Sequence, residues 1–179
     1  MTALNRTPDN TNLLQPTKYL LIFDRIPTAQ YFCQSANIPG ISIGSSTHST
    51  PLADIPIVGD KLQYNTFEIT FTVDEKLMSW RNIHDWFRSI ASPKSFEERN
   101  QLSRIQNYNR ISHLQNYSDS TLTILSALNN PIIRLKFYNM FPISLSDIDF
   151  DVKDSADDII TGTATFMYEY FRSEEHTSE

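Results

Sequence analysis

The stretch from Ile38 to Asp60, IPGISIGSSTHSTPLADIPIVGD, constrains the fold more than any other part of the chain. Ile41 and Ile43 alternate with Ser42, Gly44, Ser46 and His48, and Ile55 and Ile57 repeat the period of two further on. At that spacing successive side chains of a strand leave opposite faces. The pattern predicts a half-buried hairpin with a long exposed tip. Ile41 and Ile43 turn inward or against a neighbour, and Ser42, Gly44 and Ser46 face solvent. Pro39-Gly40 and Gly59-Asp60 read as bounding turns, while Pro51 and Pro56 lack an N–H and fit edge positions. A ribbon of this kind is marginal alone, and its open edges invite pairing with another chain.

The 179 residues, 40% of them hydrophobic and 12% aromatic, fit one domain with a real core. No run approaches the roughly 18 apolar residues of a membrane span. The N-terminus lacks the basic-then-apolar plan of a signal peptide, so a cytoplasmic product is expected. Cys33 is the single cysteine. That rules out an internal disulfide and any CxxC metal pattern, and a buried inert thiol is the expected use. A net charge of -6 disfavours tight nucleic-acid binding, which needs clustered Lys and Arg. The tail from Arg172 to Glu179, RSEEHTSE, reads as translated sequencing adapter rather than native sequence. Without it the charge is -4, from 14 basic and 18 acidic residues.

Residues 1–15 are polar and without period, and read as a loose arm. Lys18–Phe23 and Tyr31–Ser35 are predicted as short strands. TFEITFTV, residues 66–73, is the clearest strand, with Phe67, Ile69, Phe71 and Val73 on one face. Asp74 and Glu75 then mark a helix start, where carboxylates meet unpartnered N–H groups. The helix runs to about Ala91. Its apolar stripe of Leu77, Trp80, Ile83, Trp86, Phe87 and Ile90 recurs at spacings of three and four and is expected to anchor the fold against the sheet. Residues 94–118 are polar and read as an insertion or loop.

Strands resume in STLTIL and IIRLKFYNMF, joined by the turn Asn129-Asn130-Pro131, with Pro142 breaking the ladder. SDIDFDV is expected to turn Ile148, Phe150 and Val152 to one side and Asp147, Asp149 and Asp151 to the other. After a turn over Asp154–Asp158, a closing strand points Gly162, Ala164, Phe166, Tyr168 and Tyr170 inward. The fold expected is mainly β (α+β): two packed antiparallel sheets, sandwich- or barrel-like, with about eight strands and one flanking amphipathic helix. Residues 16–171 form a single domain.

No chemistry is legible. His48, His84, His113 and His176 have no ligand-spaced partner, so no metal site is predicted. GISIG, residues 40–44, has the letters of GxSxG but falls in the alternating hairpin strand rather than at a strand-to-helix elbow, and GxxxxGK and GxGxxG are absent, which argues against an enzyme and against a phosphate-bearing cofactor. The DxDxD run lacks the following Gly and Glu of a calcium loop and reads as a solvent face. A sugar-binding β-sandwich is kept as an alternative of another class, with a small hydrolase last. Trp80 and Trp86 fall on the apolar helix stripe, which argues for core use over a sugar platform.

From about Gln15 to Phe171 the chain resembles the tail tube proteins of contractile-tailed bacteriophages related to the large coliphage type. The landmarks are QPTKYLLIF, ANIPG, IPIVGDK, TFEITFTVDE leading into WRNIHDWFRSIA, then FYNMFPISLSDIDFD and TATFMYEYF. The resemblance implies a two-sheet fold with a flanking helix and six copies closing into a ring. Rings stack into a tube, and the hairpin matching Ile41 to Ile57 contributes to the lumen wall. It also implies tail sheath and baseplate partners, DNA passing through without specific binding, a place in the virion after assembly in the host cytoplasm, and no cofactor. The polar stretch 94–118 departs from the family's common length. A single specialised ring, at the baseplate or as a tube initiator, is therefore a second reading within the class.

Overall fold

The longest strand, Pro131–Leu145, belongs to two sheets at once, and that double membership organises the domain. The computed structural model describes residues 12–91, 95, 97, 116–151 and 158–175. Within them the order is β1 (Tyr19–Phe23), α1 (Pro27–Tyr31), β2 (Cys33–Ala36), β3 (Ile41–Ser49), β4 (Asp54–Tyr64), β5 (Phe67–Thr72), α2 (Met78–Ile90), β6 (Ser118–Leu125), β7 (Pro131–Leu145), β8 (Thr161–Met167) and β9 (Tyr170–Glu175). The first half of β7 lies between β6 and β9, with β1 outside β6. Its second half pairs with β8, which continues to β5 and β2. All these pairings are antiparallel.

The crossover is built at Asn139, whose φ of 52° is left-handed, a conformation asparagine tolerates better than most residues. Its N–H donates to Asp119 Oδ1 at 3.2 Å and its side-chain amide donates to Glu169. Beyond this kink β7 changes partner.

Between the sheets lies one aromatic core. The Phe23 ring of β1 stands 5.4 Å from Phe166 of β8 and 6.3 Å from Phe67 of β5, and Phe67 stands 4.8 Å from Phe137 of β7. The β5 pattern arises from strict alternation: Phe67, Ile69 and Phe71 are fully buried. Helix α2 closes one side with Ile83 and Trp86, both with no exposed surface. Trp86 lies 5.8 Å from Phe166, and its indole N–H donates to the Asn116 carbonyl at 3.0 Å. Arg25 binds the same helix, donating to Ser89 Oγ at 2.7 Å with its guanidinium 5.1 Å from the Trp86 ring centroid. Asp74 Oδ1 accepts from the Ser79 N–H at 2.9 Å and from its hydroxyl at 2.8 Å, and so holds the first turn.

Several expectations are corrected. There are nine strands and two helices among the described residues, and α2 starts at Met78, after a left-handed Leu77, and ends at Ile90. Tyr31 ends the short helix α1, and the strand there begins at Cys33. Pro142 does not end β7: it pairs with Phe166 where the strand has a neighbour on one side only, the setting in which a missing N–H costs least. Ser146–Asp151 is not a strand: the Ser146 N–H still donates to the Thr163 carbonyl at 2.8 Å, but beyond it no ladder continues among the described residues, and Phe150 is 76% exposed. The closing strand holds its phase through Gly162, Ala164 and Phe166. It then breaks at Tyr168-Glu169, so that Phe171, rather than Tyr170, packs on the core. Residues 172–175 extend β9 along β7, with Arg172, Ser173 and Glu174 exposed. The predicted arm over 1–15, the insertion over 94–118 and the turn at 154–158 lie largely outside the described residues.

Candidate functional site

Strands β3 and β4 form a separate two-stranded sheet that projects from the domain. Nine residues of β3 at about 3.3 Å each make an arm roughly 30 Å long. Its root is well tied. The Asn65 N–H donates to the Gly40 carbonyl at 3.0 Å, and the Tyr168 hydroxyl donates to the Asn65 carbonyl at 2.9 Å. Tyr64 packs 5.8 Å from Tyr168 and 5.6 Å from Phe171. Burial pushes the Tyr168 hydroxyl up to about 12, with Tyr64 adding to the rise. At the tip, the Thr50 N–H and hydroxyl both donate to the Ala53 carbonyl, at 3.0 and 2.6 Å.

The arm is not half-buried. Every residue of β3 is exposed, and in β4 only Gly59 and Tyr64 are partly covered. The alternation of Ile41 and Ile43 marks a face that the chain's own core does not cover: each is 53% exposed. Gly59-Asp60 is not a turn either, since β4 runs through it to Tyr64.

Cross-strand pairs place the side chains. Ile41 lies opposite Tyr64 and Ile43 opposite Leu62, so these four share one face of the inner arm. Ser46 lies opposite Ile57 and His48 opposite Ile55. Because Ile43 and Ser46 are three apart on a strand with period two, this outer apolar pair occupies the other face. Ser42 and Gly44 share the face of Ser46. The arm therefore presents apolar surface on both sides, on one side near its root and on the other near its tip. Leu62, Val58 and Leu52, the last 98% exposed at the tip, add to that surface and were not singled out from sequence. The signal of Val58 and Leu62 is visible in PIVGDKLQY once Gly59 is read as part of a strand.

The helix residues do not join this site. Ile83 and Trp86 point into the core, while Trp80 and Phe87 are partly buried, with the Trp80 ring stacked 4.9 Å from His84. Trp80, His84 and Phe87 line a groove of about 710 Å³ against Ile143, Leu145 and Phe150. Among the described residues no group of three or more His, Cys, Asp or Glu side chains could hold a metal, and no helix is long and apolar enough to cross a membrane. Cys33 is partly buried, and burial raises its thiol above the ordinary range, opposite to what a nucleophile needs.

The described residues thus form a two-sheet β domain carrying a long exposed ribbon. The chain belongs to the phage tail tube protein family, whose model matches residues 19–174. It is a structural protein of that kind. A curated relative, the tail tube terminator protein of Enterobacteria phage T4, is 28% identical over 145 residues, 79% of this chain and 76% of that one. Among solved structures, the tube terminating cap of the anti-feeding prophage superposes with a TM-score of 0.64 at 12% identity, over 98% of this chain and 99% of that one. The sheath/tube terminator of an extracellular contractile injection system, in its extended state, does so with a TM-score of 0.55 at 14% identity, over 92% and 99%. These two likenesses show the fold.

Proposed function

We propose that this protein forms the ring that ends a contractile-tail tube, with copies joined through the β3–β4 arm. The observation that carries the reading is the arm itself: two exposed apolar patches on a ribbon that the domain leaves uncovered. Exposed surface of that kind marks an interaction site. A head-to-tail contact of one copy on the next closes into a ring when the rotation allows it. The relatives favour the terminating end over the baseplate initiator, since the phage T4 relative and the anti-feeding prophage cap are both named as terminators.

On this reading six copies surround a channel. A solved structure of the same fold comes from a six-fold symmetrised baseplate, with a TM-score of 0.57 over 94% of this chain. DNA passes without specific contact, in keeping with the acidic balance, and sheath and tube proteins are the neighbours in the virion, after assembly in the host cytoplasm. A repeating tube subunit is the second reading, favoured by the family model. Negative-stain electron microscopy of the purified protein separates the two. Isolated single or double rings are expected for a terminator and long tubes for a repeating subunit, whereas monomers at every concentration would overturn both.

A further inference from the structure

The arm is interrupted at one point. From the pair Ile43 and Leu62 to the pair Ser45 and Val58, β3 advances two residues while β4 advances four. Gly44 and Gly59 meet at this irregularity. A Cβ on Gly59 would stand 2.4 Å from the Gly44 carbonyl oxygen and 3.0 Å from its carbonyl carbon, whereas a Cβ on Gly44 would meet nothing within 4 Å. No glycine among the described residues has a positive φ, so the demand at Gly59 is for close backbone approach and not for an unusual torsion. Bulges of this kind bend a strand and raise its twist.

We propose that the Gly44–Gly59 approach is a built-in elbow. It fixes the direction of the outer arm, Ser45 to Ile57, and thereby the geometry in which one copy meets the next. The inference rests on the reading of the arm as the assembly element. Its reach follows from lever geometry. Relieving the clash to a bare 3.0 Å takes a shift of about 0.6 Å across strands ~4.8 Å apart, a tilt of ~7°. Over the five residues from Ser45 to Ser49, ~16 Å of strand, the tip moves by ~2 Å. Packed interfaces as dense as protein interiors do not absorb such a displacement. The domain core, in contrast, holds no arm residue.

The test compares Gly59→Ala with Gly44→Ala in the full chain, by sedimentation velocity over a concentration series and by thermal melting. Gly59→Ala is expected to melt with the wild type yet need about tenfold or more concentration to assemble. Gly44→Ala is expected to match the wild type in both. Equal assembly by Gly59→Ala would overturn the elbow and leave the arm standing. Equal loss in both variants would also overturn it, by marking the face rather than the close approach. A lowered melting point for Gly59→Ala would place the glycine in the folding of the domain instead. Failure of the wild type to self-associate would remove the arm reading and the elbow together.

Discussion

Replacing Ile43 by Asp tests the arm where its burial is legible. In the isolated chain Ile43 is 53% exposed, so about half of its side chain is left for a neighbour to cover. Full burial of an isoleucine contributes about 1.5–3 kcal/mol, which leaves roughly 1 kcal/mol for the contact with another copy. An aspartate there removes that term and adds the desolvation of a carboxylate opposite Leu62, several kcal/mol when unpaired. A loss of about 3 kcal/mol per contact weakens association by roughly a hundredfold. The monomer changes little, by ~1 kcal/mol or less, because the site is outside the core. Sedimentation velocity across a concentration series reads the first quantity and urea unfolding the second. Ser46→Ala is the control and keeps assembly. An Ile43→Asp protein that forms rings at wild-type concentrations would refute the assignment of this face to a neighbour.

Three further outcomes follow from the core and its edges. Trp86→Phe keeps an aromatic ring against Phe166 but leaves the Asn116 carbonyl without its donor, at a cost of about 1–3 kcal/mol in urea unfolding; a change under ~0.5 kcal/mol would show that this bond holds little. Hydrogen bonding by the Ser79 N–H holds the Asp74 carboxyl below the usual carboxylate range, so its stabilisation is present above about pH 4 and fades as pH falls through the lowered value. Asp74→Ala is accordingly expected to cost about 1 kcal/mol at neutral pH, a difference that disappears in acid. With Tyr168 raised to about 12 from 10.0, its contribution is complete below pH 10 and is lost as pH climbs through 12. Alkaline titration should loosen the arm's root in the wild type and show a weaker dependence in Tyr168→Phe, and identical profiles would remove Tyr168 from that role.

Sequence reading succeeded where one residue's burial was decided by its own strand or helix. TFEITFTV alternates cleanly because β5 lies in mid-sheet with one face on the core, and α2 carries its aromatics at helical spacing for the same reason. It failed where tertiary context overrode a local signal. Pro142 looked like a stop because nothing in the sequence shows that β7 has a single neighbour there. The run DIDFD has the period of a strand but joins no ladder among the described residues. In the arm, the alternation of Ile41 and Ile43 does not tell where the face goes, since a strand face that the chain's own core leaves open carries the same pattern as one it buries. Gly59 looked like a turn because a glycine demanded by a close backbone approach cannot be told in sequence from one demanded by a torsion.

A high-resolution electron microscopy map of the assembled protein tests the account most directly. It should show Ile41, Ile43, Ile55 and Ile57 covered by neighbouring copies, with the inner and outer patches of each arm gripped on opposite faces. Rings in which those four side chains stay open to solvent would contradict it.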